Sequence, residues 1–307
     1  MSPWLDILIG LICAGVGGEF FVRGTVGLAR RIRVSCGIVA TTLAAFATSA
    51  PELSVAINSA ITSHPEISLG DAVGSNLVNI GLVLGLTLCV SEIKTSRAGT
   101  GRDLSAALLI PPVLAVLSLD GHITRLDGIL LLALFSGWLA TVGLSARRER
   151  DAAALIPSAQ GHWRAALPLL AGLALLVIAG RFIVSGANEI AVVFGISDFL
   201  IGVTLVAIGT SIPELATSLI SKLRGYDEIS VGTILGSNIF NGFFIVGIAA
   251  LICPIRVEGV AVHTALFAGL LTTATIVPSV NGLIPRRRGA LLLTIYAAYV
   301  ILELSRL

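Results

Sequence analysis

Two short motifs, each holding a proline followed by a glutamate, contain the residues of this chain best suited to binding an ion. The motif TSAPEL at residues 48–53 is matched by TSIPEL at residues 210–215, 162 positions later. Glu52 and Glu214 both lie midway along strongly apolar stretches. An ionised side chain at the centre of a bilayer costs at least about 2.5–3.5 kcal/mol on insertion scales, and two facing carboxylates also repel each other. Such a pair indicates that a cation, or protons, neutralise it.

The side chains that accompany the two glutamates all offer oxygen atoms. A second pair of matched segments, GDAVGSNLVN (70–79) and GTILGSNIFN (232–241), adds further hydroxyls and amides. Calcium prefers about six to eight hard oxygen ligands in adaptable geometry, whereas magnesium demands a stricter octahedron. Transition metals favour imidazole or thiolate, which these motifs lack. The candidate ligands are Glu52, Glu214, Thr48, Ser49, Ser75, Asn79, Thr210, Ser211, Ser237 and Asn241.

The backbone next to the glutamates is also expected to be irregular. Pro51 and Pro213 remove a backbone donor and disturb the turn that precedes them. Carbonyl groups near Ala45 and Ala207 are therefore expected to be freed for a cation, and the glycines of the second pair of segments are expected to loosen the partner helices. Irregular backbone is tolerated at this depth where it lines a protected cavity.

Three other polar residues of the repeat are given different roles. Asn76 and Asn238 are expected to satisfy backbone groups at the helix breaks and not to bind ions. Asp71 has no mirrored acid, because Thr233 occupies the matching position. We interpret Asp71 as a hydrated acid near the start of its helix, where the helix dipole favours negative charge.

The composition indicates that membrane-spanning helices position these residues. Of 307 residues, 55% are hydrophobic and only 12% are charged, whereas a soluble domain carries about 25% charged residues. The apolar runs reach the length of roughly 20 residues that a membrane-spanning helix needs. The first run extends too far for a signal peptide and is interpreted as a span. The ten predicted spans are 4–29, 35–61, 68–90, 103–119, 126–145, 165–193, 197–221, 229–252, 259–277 and 287–305.

The basic residues lie in alternate loops, which supports this number of spans. Fifteen Lys and Arg residues lie in the loops after spans 1, 3, 5, 7 and 9, and only Arg125, Arg256 and Arg306 lie on the other side. Positive residues gather on the cytoplasmic face. The chain is therefore predicted to be a multi-pass protein of the cell membrane with both termini outside the cytoplasm. Since the distribution of the basic residues is explained by the orientation of the spans, we do not interpret them as a binding patch, and no nucleic-acid partner is expected.

The repeat then predicts the architecture. Over residues 34–53 and 67–79, 16 of 33 positions are identical to those 162 residues later, so the two halves share one structural plan. Each half holds five predicted spans, an odd number, and the halves must cross the membrane in opposite directions. The predicted fold is an all-α membrane protein of about ten helices in two inverted five-helix repeats, at 1–146 and 164–307, joined by a cytoplasmic loop at 147–163. Inverted repeats are typical of secondary transporters.

The two glutamate motifs and their partner segments resemble the alpha repeats of the cation/calcium exchanger superfamily, and within it those of the prokaryotic sodium/calcium exchangers. The resemblance covers nearly the whole chain. It implies that Glu52 and Glu214 are the central ligands, that the hydroxyl and amide residues named above join them, and that the backbone carbonyls of Ala45 and Ala207 help to hold sodium. It also implies that spans 1 and 6 slide across the remaining helices.

The sequence therefore predicts a secondary antiporter that exchanges Ca²⁺ for Na⁺ by alternating access, with no cofactor and no enzymatic reaction. A Ca²⁺/H⁺ antiporter is the alternative, because the same carboxylates can carry protons. An intramembrane aspartyl protease is disfavoured because Asp71 has no mirrored acid, and a channel because the mirrored pairs converge on one occluded point. The sequence has no glycine-rich lysine loop for ATP, so the driving energy is expected to come from an ion gradient.

Overall fold

A computed structural model describes residues 3–95, 97–153, 166–193, 207–257 and 259–305, and most of them are helical. The helices of the first half are α1 (Pro3–Ile32), α2 (Cys36–Val39), α3 (Ala45–Thr48), α4 (Ala50–Ile61), α5 (Pro65–Leu77), α6 (Gly85–Val90), α7 (Arg97–Leu117) and α8 (Arg125–Ala153). Those of the second half are α9 (Ala166–Val193), α10 (Ala207–Thr210), α11 (Ile212–Leu223), α12 (Asp227–Ile239), α13 (Val246–Ile252), α14 (Gly259–Thr275) and α15 (Arg287–Leu304).

Three π-helical segments interrupt these helices, at Ala40–Ala44, Val78–Leu84 and Phe240–Ile245. The second and third join α5 to α6 and α12 to α13, so each of these pairs forms one long, irregular element. Four two-residue strands complete the described chain: β1 (Ile93–Lys94), β2 (His122–Ile123), β3 (Ile255–Arg256) and β4 (Leu283–Ile284).

The helices have the length and apolarity of membrane spans. Six helices of the described residues qualify, and the bent pair Cys36–Thr48 and Ala50–Ile61 makes a seventh if it counts as one span. Large apolar side chains are exposed on their outer faces, as at Leu170 and Ile129. The prediction of a mostly helical, multi-pass membrane protein is thus confirmed, while the number of ten spans stays a prediction. Residues 197–206 of the seventh predicted span lie outside the described residues.

One predicted boundary differs visibly from the structure. The helix α8 continues to Ala153, beyond residue 147, where the sequence predicts the start of a loop. The extra turns project beyond the apolar part of the helix, and Glu149 and Arg150 attach them to the end of α1 and the start of α2. The Glu149 carboxylate accepts from the Ser35 backbone N–H at 2.7 Å, and Arg150 donates to the Ile32 carbonyl at 2.9 Å.

The two halves repeat each other in structure as well as in sequence. The bounds of α11 and α12 follow those of α4 and α5 at the 162-residue separation. The strands pair between the halves, β1 with β4 and β2 with β3, both antiparallel. Each strand pair joins two loops that the positive residues assign to the same side of the membrane.

The first helices of the two halves, α1 and α9, pack against each other along their length. Gly24 lies beside Leu169, and Gly10 lies beside Ile183, so the two helices run in opposite directions. A Cβ atom added at Gly172 would lie 2.4 Å from the backbone nitrogen of Phe21. Small residues of this kind let membrane helices approach backbone to backbone.

The most enclosed spans carry the repeated polar segments. In the most apolar window of Asp227–Ile252, 83% of residues are buried, and in that of Pro65–Val90, 67%; the value for Arg125–Asp151 is 17%. Elements α5–α6 and α12–α13 therefore form the centre of the molecule. Apolar side chains such as Leu77, Ile80 and Phe243 fill the space around them.

Candidate cation-binding site

Each glutamate lies just after a break in its helix. Ser49 (φ −86°, ψ 11°) separates α3 from α4, and Ser211 (φ −85°, ψ 4°) separates α10 from α11. The break in the first half bends the chain by 46°. Glu52 and Glu214 consequently occupy the first turn of α4 and α11, next to the proline. The positive end of the helix dipole and unpaired N–H groups favour a carboxylate at this position.

The carbonyl group of Ala45 is already used within this break. It accepts from the Ser49 backbone N–H at 3.0 Å and from the Thr48 hydroxyl at 3.2 Å. A role for this carbonyl in holding sodium stays a prediction, and it requires the Thr48 hydroxyl to turn away. Ala207 begins α10 at the matching position.

The π-helical segments position the two amides. Asn79 lies in Val78–Leu84 and Asn241 lies in Phe240–Ile245, and both side chains are fully buried. Segments of this kind are frequent at functional sites because the extra residue turns a side chain out of the regular register. The glycines expected to loosen these helices lie in regular α-helix instead. At Gly236 a Cβ atom would lie 2.3 Å from the Thr41 carbonyl oxygen. The glycine therefore allows α12 to pack closely against the backbone at Thr41.

Hydroxyl groups from the two halves meet in mirrored pairs. The Thr48 and Ser237 hydroxyls lie 3.3 Å apart, and their repeat partners, Thr210 and Ser75, lie 3.5 Å apart. These contacts bring the glutamate motif of each half against the Ser-Asn segment of the other. The structure thus brings residues of all four repeated segments together, as the repeat predicted.

The carboxylates are buried, and their protein hydrogen bonds are few. Glu52 and Glu214 have no exposed surface, and they lie close enough to repel each other electrostatically. The Ser237 hydroxyl donates to Glu214 at 3.0 Å, and the Thr48 and Ser49 hydroxyls lie near the same carboxylate. Neither oxygen of Glu52 accepts a hydrogen bond, although the Thr210 hydroxyl lies near. None of the four ion pairs found in the described parts of the chain includes either glutamate.

Seven of the buried oxygen atoms that lack a hydrogen-bond partner lie on the predicted ligands. They belong to both glutamates, to both serines at the helix breaks and to both π-helix amides: Glu52 Oε1 and Oε2, Glu214 Oε2, Ser49 Oγ, Ser211 Oγ, Asn79 Oδ1 and Asn241 Oδ1. A buried acceptor with no donor costs about 1–3 kcal/mol, and more when it is charged. Seven such atoms, on three mirrored pairs of residues, fit the number and hardness of the oxygen ligands that calcium takes.

Asp71 lies closer to this site than its predicted role as a hydrated acid near a helix start requires. It is the seventh residue of α5, and it precedes Ser75 and Asn79 by four and eight residues, which places the three residues near one face of the helix. Its Oδ2 atom is buried without a hydrogen-bond partner, and its carboxyl group lies close enough to Glu52 for the two to repel each other when both are ionised. Asp71 is therefore not simply a hydrated acid at a helix start. The missed signal is the spacing of four residues.

Asn76 and Asn238 join the halves beside the site. Each side-chain amide donates to the backbone carbonyl of the other residue, at 3.1 and 3.0 Å. The Asn79 amide donates to the Asn238 side-chain oxygen at 3.0 Å. The expectation that Asn76 and Asn238 serve the backbone agrees with these bonds, but each serves the opposite half.

Comparisons with known proteins give consistent matches. A sequence model of the family described as sodium/calcium exchanger protein matches residues 2–144 and 165–304. The putative antiporter CaxA of Alkalimonas amylolytica is 35% identical over 262 residues, with 83% of this chain and 82% of that protein covered. The sodium/calcium exchanger MaX1 of Methanosarcina acetivorans is 27% identical over 340 aligned positions, with 97% of each chain covered.

A solved structure shows the same fold. The sodium-calcium exchanger NCX_Mj, soaked with 2.5 mM Na⁺ and 0.1 mM Ca²⁺, superimposes with a TM-score of 0.82 at 30% sequence identity. The superposition covers 98% of this chain and 99% of that chain.

Proposed function

Because the chain belongs to the sodium/calcium exchanger protein family, we propose that it exchanges Ca²⁺ for Na⁺ at a single site between Glu52 and Glu214. The family supports a cation/calcium antiporter, and the choice of sodium as the driving ion is the proposed part. The observation that carries the proposal is the set of seven buried oxygen atoms without a protein donor, which belong to three mirrored pairs of residues. Hydroxyl and amide oxygens outnumber carboxylate oxygens in that set. Such neutral oxygen ligands suit sodium when calcium has left.

The proposed architecture is the one that the repeat implies. Ten spans form two inverted five-helix repeats, at 1–146 and 164–307, with residues 147–163 between them and both termini outside the cytoplasm. The repeated helix bounds, the opposite directions of α1 and α9, and the pairing of β1 with β4 and β2 with β3 support this arrangement. The site then lies at the midplane, between the two copies.

Charge explains why the exchange is coupled. Two unpaired carboxylates are costly to enclose in a dry barrier, since each unpaired ion costs several kcal/mol. The transporter therefore changes sides when calcium, sodium or protons neutralise Glu52 and Glu214. The packed pair α1 and α9 moves as one unit past the central helices, and each position opens the site to one side. The ion gradient supplies the energy.

Uptake of radioactive calcium into proteoliposomes tests the proposal. We expect uptake when sodium is loaded inside, and none when only a potassium or a proton gradient is imposed. Uptake driven by the proton gradient alone would favour the Ca²⁺/H⁺ alternative, in which the same two carboxylates carry protons. Glu52→Gln and Glu214→Gln serve as matched inactive controls, because each removes one charge and keeps the side-chain shape.

A further inference from the structure

The helix α11 continues from Glu214 toward the side of the membrane that the basic residues assign to the cytoplasm. Ser221 lies seven positions after Glu214 in the chain, which corresponds to about 10 Å along the helix. Half of the bilayer hydrocarbon is about 15 Å thick. Ser221 therefore lies close to the cytoplasmic end of the route that an ion must take from the site.

One face of α11 along this distance is polar and enclosed. Thr217, Ser218 and Ser221 follow Glu214 at spacings of three, four and seven residues, so the four side chains share one face of the helix. All four are fully buried. Thr233, on the neighbouring helix α12, precedes the ligand Ser237 by one turn and is also fully buried. A buried polar strip thus runs from the site along the contact between α11 and α12.

The Ser218 hydroxyl behaves as that of a helix-contact residue usually does. Ser218 lies 2.7 Å from the Ser230 hydroxyl on α12 and 3.0 Å from the Thr87 hydroxyl on α6. Hydrogen bonds of this kind hold membrane helices together. Ser218 and Ser230 are therefore explained by packing alone.

Thr217, Ser221 and Thr233 behave differently. Within the described residues their hydroxyl oxygens have no hydrogen-bond partner. A Ser or Thr within a helix commonly donates to the carbonyl four residues earlier, as Thr25, Thr87 and Thr272 do in this chain. Since these three hydroxyls satisfy neither the backbone nor a neighbouring side chain, packing does not explain them.

The other half of the molecule matches this strip only in part: the repeat partner of Thr233 is Asp71, whose Oδ2 atom is also buried without a hydrogen-bond partner. The repeat partners of Thr217 and Ser218 are Val55 and Ala56, which have no polar side chain. The partner of Ser221 is Ser59, whose hydroxyl bonds to the Ala56 carbonyl at 3.1 Å and to the Ser68 hydroxyl at 2.7 Å. The run of free hydroxyls along α11 is therefore not repeated on α4 and belongs to one side of the membrane.

We propose that Thr217, Ser221 and Thr233 line a hydrated route by which cations pass between Glu214 and the cytoplasmic face. Their hydroxyls replace part of the water shell of a small cation as it leaves or reaches the site. This inference rests on the proposed function for the identity of the ions, but the route itself is tested separately.

Cysteine accessibility tests the route. In a background with Cys13, Cys36, Cys89 and Cys253 replaced by serine, Ser221→Cys and the matched control Ser59→Cys are exposed to a small cationic methanethiosulfonate reagent. The reagent is added to either face of oriented vesicles. We expect Ser221→Cys to react from the cytoplasmic face only, and Ser59→Cys to be inert from both. A Ser221→Cys thiol as inert as Ser59→Cys, or one that reacts only from the other face, overturns the proposal.

Transport rates give a second, independent test. Thr217→Val and Ser221→Ala remove a hydroxyl at nearly constant shape, and each is expected to slow calcium exchange by roughly fivefold. Calcium affinity in detergent should stay within about twofold of that of the unsubstituted protein, which also shows that the variants fold. Exchange at an unchanged rate in both variants overturns the route. If the unsubstituted protein itself shows no sodium-driven flux, the proposed function fails, while the labelling result still decides the route.

Discussion

Asn76 and Asn238, which occupy matching positions in the two halves, hold each other by reciprocal hydrogen bonds. The Asn76 amide donates to the Asn238 carbonyl at 3.1 Å, and the Asn238 amide donates to the Asn76 carbonyl at 3.0 Å. Each residue directly follows a predicted ligand, Ser75 or Ser237. The bonds therefore fix α5 and α12 relative to each other beside the site.

Removal of either amide should destabilise the fold. Asn76→Ala and Asn238→Ala each eliminate an amide that donates across the halves and leave a carbonyl without its donor, which costs about 1–3 kcal/mol. Thermal unfolding of the purified protein in detergent measures the loss. Asn58→Ala is the control, because Asn58 is exposed on α4. Equal unfolding temperatures for Asn238→Ala and Asn58→Ala would show that the hydrogen bonds between Asn76 and Asn238 do not stabilise the fold.

The close approach at Gly236 predicts a contrast between two glycines. A Cβ atom at Gly236 would lie 2.3 Å from the Thr41 carbonyl oxygen and 2.7 Å from the Ala45 Cβ atom, whereas none of the described atoms lies within 4 Å of one at Gly70. Gly236→Ala should therefore destabilise the protein by about 1–3 kcal/mol through overpacking. Gly70→Ala should be neutral or stabilising by up to about 1 kcal/mol, because alanine favours a helix.

Both glycine variants are measured by thermal unfolding at the same detergent concentration. Gly70 is the suitable control because it lies in a repeated segment, in helix α5, as Gly236 lies in α12. A Gly236→Ala protein as stable as Gly70→Ala would show that α12 does not pack tightly against the Thr41–Ala45 segment.

The position of Asp71 predicts a moderate effect on ion binding. When ionised, its carboxyl group lies close enough to repel Glu52, and it should also attract a cation held between the two glutamates. Asp71→Asn should weaken calcium binding by on the order of 1 kcal/mol, or about fivefold, without abolishing transport. Calcium titration of the purified variant measures the change. Glu66→Gln, which removes an exposed acid from the first turn of the same helix, should leave the affinity unchanged.

An unaltered calcium affinity in Asp71→Asn would show that Asp71 does not act on the site and would favour its interpretation as a hydrated acid. Complete loss of transport would instead make it an essential ligand, equal in role to Glu52 and Glu214.

The repeat explains how much of the site was visible in the sequence. Glu52 and Glu214 stood out because a carboxylate in an apolar span needs compensation, and their partners stood out because the same residues recur at one separation. The structure brings Thr48 to Ser237 and Ser75 to Thr210, contacts that follow once two copies face each other.

Other features left little trace in the sequence. The π-helical segments at Val78–Leu84 and Phe240–Ile245 lie in almost uniformly apolar stretches, where one extra residue in a turn disturbs no pattern of apolar and polar positions. The exchange of amide bonds between Asn76 and Asn238 depends on the distance between the halves, which spacing along the chain does not encode. The charged residues at 147–151 indicate where the membrane span ends but not where the helix ends, so the continuation of α8 to Ala153 is not visible in the sequence.

A calorimetric calcium titration of the purified protein addresses the two glutamates most directly. If they share one ion, the unsubstituted chain binds a single calcium in the absence of sodium, and added sodium competes with it. Glu52→Gln alone and Glu214→Gln alone should each abolish this binding, although each leaves the other carboxylate in place. Calcium binding that persists in either single variant with unchanged affinity would contradict a shared site.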